Sequence, residues 1–74
     1  MKYHDGHTIK VGDTVNHNCG HDTGTVVLVA EILSDIQKYN YDGPTVLIKC
    51  HSKGLMAYGK DDIFIEQITL IKRS

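Results

Sequence analysis

The run Thr25 to Ile32, TVVLVAEI, sets the tightest limit on the fold of this chain. Extended, it places Val26, Leu28 and Ala30 on one face and Val27 and Val29 on the other, so the strand is apolar on both sides. The chain has 74 residues, which we read as a single domain spanning 1–74. A core of that size has few ways to cover both faces of one strand. Either the chain's own loops cover the second face or Val27 and Val29 meet a partner.

The rest of the chain repeats a simple unit, a few β-favouring residues followed by turn chemistry. Gly12-Asp13 opens a short strand at Thr14 to His17, and Asn18 to Gly24 is loop. Gly43-Pro44 breaks the chain before Thr45 to Cys50, where Val46 and Ile48 share a face. His51 to Gly54 turns into a strand at Leu55 to Gly59. Lys60 to Phe64 is expected to form a single helical or 3₁₀ turn with an acidic start, ahead of a last strand at Ile65 to Ile71. Glu31 to Asp42 is read as the end of the second strand and a long hairpin loop carrying Tyr39 and Tyr41. Ile32, Leu33 and Ile36 have helical spacing there, yet a helix of that length is marginal on its own.

The entry Val11-Gly12-Asp13-Thr14-Val15, the restart Gly24-Thr25-Val26 and the turn Asp61-Asp62-Ile63 resemble small SH3-like barrels, which include KOW and CarD-like modules. The fold expected is therefore all-β: one SH3-like barrel of about five antiparallel strands with a short 3₁₀ turn before the last. More loosely, Asp5-Gly6 with Ile9 to Val15, and Gly54-Leu55 with Tyr58 and Asp61-Asp62-Ile63, resemble small bacterial and phage-borne proteins of this type. Some of those are suspected immunity or anti-defence factors. The resemblance spans nearly the whole chain but rests on turn and core residues, and a fold of this kind hosts many functions.

Net charge is −1 and the pI about 6.5, so no broad electrostatic field draws the protein to nucleic acid or to an anionic membrane. The N-terminal MKYHDGHTIK lacks the apolar segment of a signal peptide. Val26 to Ala30, the longest apolar run, is far too short to span a bilayer. A cytoplasmic location is expected, with Cys19 and Cys50 as thiols rather than a disulfide.

Cys19 and His21 with Cys50 and His51 make the sharpest constellation, because both pairs fall at one end of a barrel meander. Two thiolates and two imidazoles could complete a tetrahedral Zn²⁺ site, although the Cys-x-His spacing and the adjacent Cys-His pair strain it. The plainer reading has Cys50 as a small buried strand residue and the histidines as exposed loop residues. No other cofactor is expected. Cys19, flanked by His17, His21 and Asp22, has the composition of a nucleophile with a base. A loop on so small a barrel offers neither an oxyanion hole nor a substrate pocket, so an enzyme is not expected.

Two binding readings remain. Tyr39, Tyr41 and Tyr58 with Lys38, Lys49, Lys53 and Lys60 could stack bases and meet phosphates, opposed by Asp35, Asp42, Asp61 and Asp62 in the same loops. A protein partner is favoured over nucleic acid, with His17, His21, Val27, Val29, Tyr39, Tyr41 and Tyr58 as contacts and a homodimer through Val27 and Val29 as one form. The resemblance makes a small inhibitor, immunity or phage-accessory factor the concrete version.

Overall fold

Gly12 adopts φ +94°, a left-handed conformation open to glycine, and this lets the chain fold back so that its N–H reaches Val26 O at 2.8 Å. Strand β1 (Thr14–His17) follows and pairs antiparallel with β2 (Asp22–Ala30). The structure, a computed structural model, describes residues 1–17 and 21–73. Helix α1 (Leu33–Lys38) leads to β3 (Thr45–Cys50) and β4 (Gly54–Gly59), and α2 (Lys60–Ile65) precedes β5 (Thr69–Lys72). The five strands form one antiparallel sheet in the order β4-β3-β2-β1-β5. Strands β4 and β5 are its two edges and do not pair with each other.

Both short helices end in the same way. Asn40 and Gln67 take positive φ, and the following amides close back five residues, Tyr41 N–H to Ile36 O and Ile68 N–H to Ile63 O. That is the Schellman closure, here without the glycine that usually serves it. The segment expected to be hairpin loop thus contains a helix: Ile32–Ile36 spacing, an acid in the first turn and Lys38 in the last suffice when the C-terminus is closed. Likewise Lys60 to Ile65 is an α-helix rather than a 3₁₀ turn, and it delays the last strand to Thr69.

Tyr3, Ile9, Val15, Val26, Val46, Ile48, Cys50, Tyr58, Ile63 and Ile68 form the core. A bulge between Val26 and Leu28 changes the face assignment expected for β2. Val27 is the extra residue, so Leu28 pairs with Leu47 and Val29 with Val46. Val29 therefore packs against the core while Val27 stays exposed, and the two do not form one outward stripe.

Asp13, also buried, ties the chain's distant parts together. Its carboxylate accepts the Tyr3 hydroxyl at 2.5 Å and the Lys10 N–H at 2.9 Å, and meets the Arg73 guanidinium at 3.4 Å. Burial, reinforced by the Asp13 carboxylate, holds the Tyr3 hydroxyl above the ordinary tyrosine range.

Candidate functional site

Three places on this fold carry chemistry beyond packing. The first is a buried polar cluster. In β1, Val15 and His17 alternate to the inside with Asn16 between them, and Ile48 with Cys50 do so in β3. His17 is fully buried, its Nδ1 3.1 Å from the Tyr58 hydroxyl and 3.9 Å from Cys50 Sγ. Which atom of the His17–Tyr58 pair donates follows the imidazole tautomer; His17 Nε2 lies 3.5 Å from Asp22 Oδ2 and makes no hydrogen bond among the described residues. Asp22 instead accepts the Ser52 hydroxyl and the Thr23 N–H at 2.8 Å, with the Ser52 bond foremost in holding its carboxyl below the usual range. Burial pushes the Cys50 thiol up, and likewise the Tyr58 hydroxyl. Burial of this kind disfavours the thiolate, as for a packed residue.

The second place is a groove of about 570 Å³ lined by Thr14, Thr23, Gly24, Thr25, Lys49, Cys50, His51 and Lys72. Its wall is a single cross-strand row, since Lys72 opposes Thr14, Thr14 opposes Thr25, and Thr25 opposes Lys49. Hydroxyls thus sit between two ammonium groups, and among the described residues no acid lines the groove. That lining suits an anionic ligand. Of this set, Lys49, Cys50 and His51 figured among the candidate site residues read from the sequence. The row across four strands depends on register, which a single sequence does not display.

The third is the surface around α1, which buries none of its residues. Leu33 is 68% exposed and Ile32 61%. Tyr39 is exposed, Tyr41 half-buried, and their rings lie 6.2 Å apart with the Lys38 ammonium 5.4 Å from the Tyr39 ring.

The residues singled out in the sequence are spread across these places. Tyr58 and His17 are interior, so neither presents a ring to solvent. His21 and His51 are exposed. Cys50 is a free buried thiol, and Cys19 lies outside the described residues. Among the described residues no three His, Cys, Asp or Glu side chains converge as a metal-binding group. No described helix is long and apolar enough to cross a membrane. The chain matches no protein-family model, no curated protein and no solved structure.

Proposed function

We propose that this chain is a non-enzymatic binding module, built as an SH3-like barrel, whose partner is a protein docking on the α1 surface. The carrying observation is that α1 fully buries none of its side chains, Asp35 and Ile36 being only half-buried, while Ile32 and Leu33 stand in water. A six-residue helix gains nothing in stability from such exposure. Tyr39 and Tyr41, tilted against each other beside it, add amphipathic contact area of the kind that concentrates at recognition surfaces. The barrel reading is supported by the strand order, in which β5 returns beside β1 and short α2 precedes it. A small inhibitor, immunity or phage-accessory factor is the form this takes if the resemblance in the turns carries function. The test is capture of a partner from the native host with wild type and with Ile32→Glu/Leu33→Glu. The variant is expected to keep its circular dichroism and melting temperature and to lose the partner. Undiminished capture by the folded variant sinks the reading.

The groove supports a second reading, a nucleic-acid-binding module that meets phosphates with Lys49, Lys72 and the threonine hydroxyls. Because Tyr58 is buried, it presents no ring on which a base could stack, and the reading rests on phosphate contacts. Lys49→Ala/Lys72→Ala is expected to weaken oligonucleotide binding and flatten its salt dependence. An absence of any shift with single- or double-stranded oligonucleotides at low salt removes it.

A further inference from the structure

The β4 edge of the sheet is open, and the hydrogen bonds elsewhere fix which of its groups are unpaired. Val26 donates its N–H to Asp13 O at 2.9 Å, and its C=O accepts the Gly12 N–H at 2.8 Å. Both groups therefore face away from β3, so Val26 and Ile48 oppose each other without exchanging hydrogen bonds. The N–H and C=O of Ile48 must then point the other way, to Met56 in β4. By alternation, the N–H and C=O of Leu55 and Ala57 point outward from the sheet. Gly59 shares that parity, and its N–H is taken by Asp62 Oδ2 at 3.0 Å. Among the described residues, no group outside the β3 ladder is bonded to Leu55 or Ala57.

The opposite edge is guarded. In β5 the Leu70 N–H is bound by the Asp5 carboxylate, and Lys72 and Arg73 place charge at its end. Strand β4, Gly54-Leu55-Met56-Ala57-Tyr58-Gly59, carries no charge, no proline and no bulge against β3.

We infer that the β4 edge binds a second copy of this chain, joining two sheets antiparallel about a twofold axis through Met56. This register keeps the inner and outer faces of both sheets aligned. It sets Leu55 opposite Ala57 of the other copy, and the reverse, so all four outward N–H and C=O groups on each copy find partners. On the outer face the exposed Leu55 side chain lies against an alanine methyl, a large residue against a small one. The two Met56 side chains face each other on the inner side, where methionine adapts readily to a shared gap. Lys53 of each copy comes to Gly59 of the other, beside the acidic start of α2 at Asp61 and Asp62. A second copy fits better than a charged peptide because the strand itself carries no charge, while beyond its ends Lys53 of each copy faces the net-acidic run Lys60-Asp61-Asp62 of the other. The inference rests on the backbone of β4 and is independent of the α1 surface.

Hydrogen exchange and sedimentation of the full chain, from about 10 μM to about 1 mM, test it over the range expected for a small interface. Protection of the Leu55 and Ala57 amides should rise with concentration as a dimer forms. Leu55→Lys should weaken dimerisation by about tenfold or more while leaving the melting temperature of the monomer unchanged. Leu33→Lys should leave it intact. A wild type that stays monomeric throughout overturns the inference, as does a dimer whose Leu55 and Ala57 amides remain unprotected. So does a dimer broken by Leu33→Lys but not by Leu55→Lys, which would move the contact to α1. A monomer whose two amides become protected only on adding a host protein would assign the edge to another chain.

Discussion

At Gly24 the absence of a side chain is what allows β2 and β3 to approach. A Cβ built there would sit 2.6 Å from Ile48 Cγ2 and 2.9 Å from Lys49 O, and the second of these is backbone that cannot swing aside. Gly24→Ala is therefore expected to destabilise the fold by about 1–3 kcal/mol, read as a lower urea midpoint at unchanged slope. Nothing in the local sequence announces this, because Gly24 stands next to a loop and reads as turn chemistry. The inward placement of His17 was partly legible, since it stands two residues from Val15 in a strand whose intervening residue is polar. What was not legible is its company. Tyr58 and Cys50 reach it from strands 41 and 33 residues away. A lone sequence with no pairing register cannot show which distant polar groups will meet a buried imidazole.

The two helices carry matching irregularities at their ends. Gln67 at φ 52° and Asn40 at φ 62° occupy a left-handed conformation that costs an ordinary side chain about 1 kcal/mol or more. Asparagine tolerates it better than glutamine does. Gln67→Gly is accordingly expected to stabilise the protein by up to about 1 kcal/mol, visible as a higher thermal midpoint. A fall in the midpoint would mean that the side chain of Gln67, not its backbone, matters at that turn. The strand boundaries of β1 and β3 were readable from β-branched runs flanked by glycine, proline and histidine. Helix α1 showed only as the helical spacing of Ile32, Leu33 and Ile36, which six residues with no fully buried side chain could not set above a loop. The bulge at Val27 was invisible for a related reason: one inserted residue reverses the parity of everything after it, and Val27 and Val29 look alike in sequence.

For the molecule as a whole, stability should be widest near neutral pH and fall on both sides. Cys50, Tyr3 and Tyr58 have folded-state pKa values above their ordinary ones, chiefly through burial. Each therefore favours the protonated folded form. Its contribution is complete below the unfolded pKa, about 8.5 for the thiol and about 10 for tyrosine, and is lost as pH rises past it. Asp22 is held down foremost by Ser52. At Asp5 burial is outweighed by hydrogen bonds from His7 and Leu70. These lowered carboxylates contribute above about pH 4 and lose that contribution as pH falls through their folded values. Urea midpoints measured across pH should show a plateau with two falling limbs. Tyr58→Phe should soften the alkaline limb and Asp22→Asn the acid one. An alkaline limb unaltered by removing Tyr58 would contradict its burial as the cause.

The Asp13 carboxylate has a consequence for the order in which the protein can assemble. It joins Tyr3, ten residues before it, to Arg73, sixty residues after it. The guanidinium also reaches the Thr8 carbonyl at 3.0 Å, across 65 residues. Contacts of such sequence separation are slow to form, because a long loop must close before they return any energy. During synthesis the β1–β2–β3–β4 meander can pair hairpin by hairpin as it emerges, and Asp13 can take Tyr3 and Lys10 early, whereas its contact with Arg73 waits for the last strand. Until β5 pairs, one flank of β1 lies bare, so the strand that brings Arg73 to Asp13 also turns β1 from an edge into an interior strand.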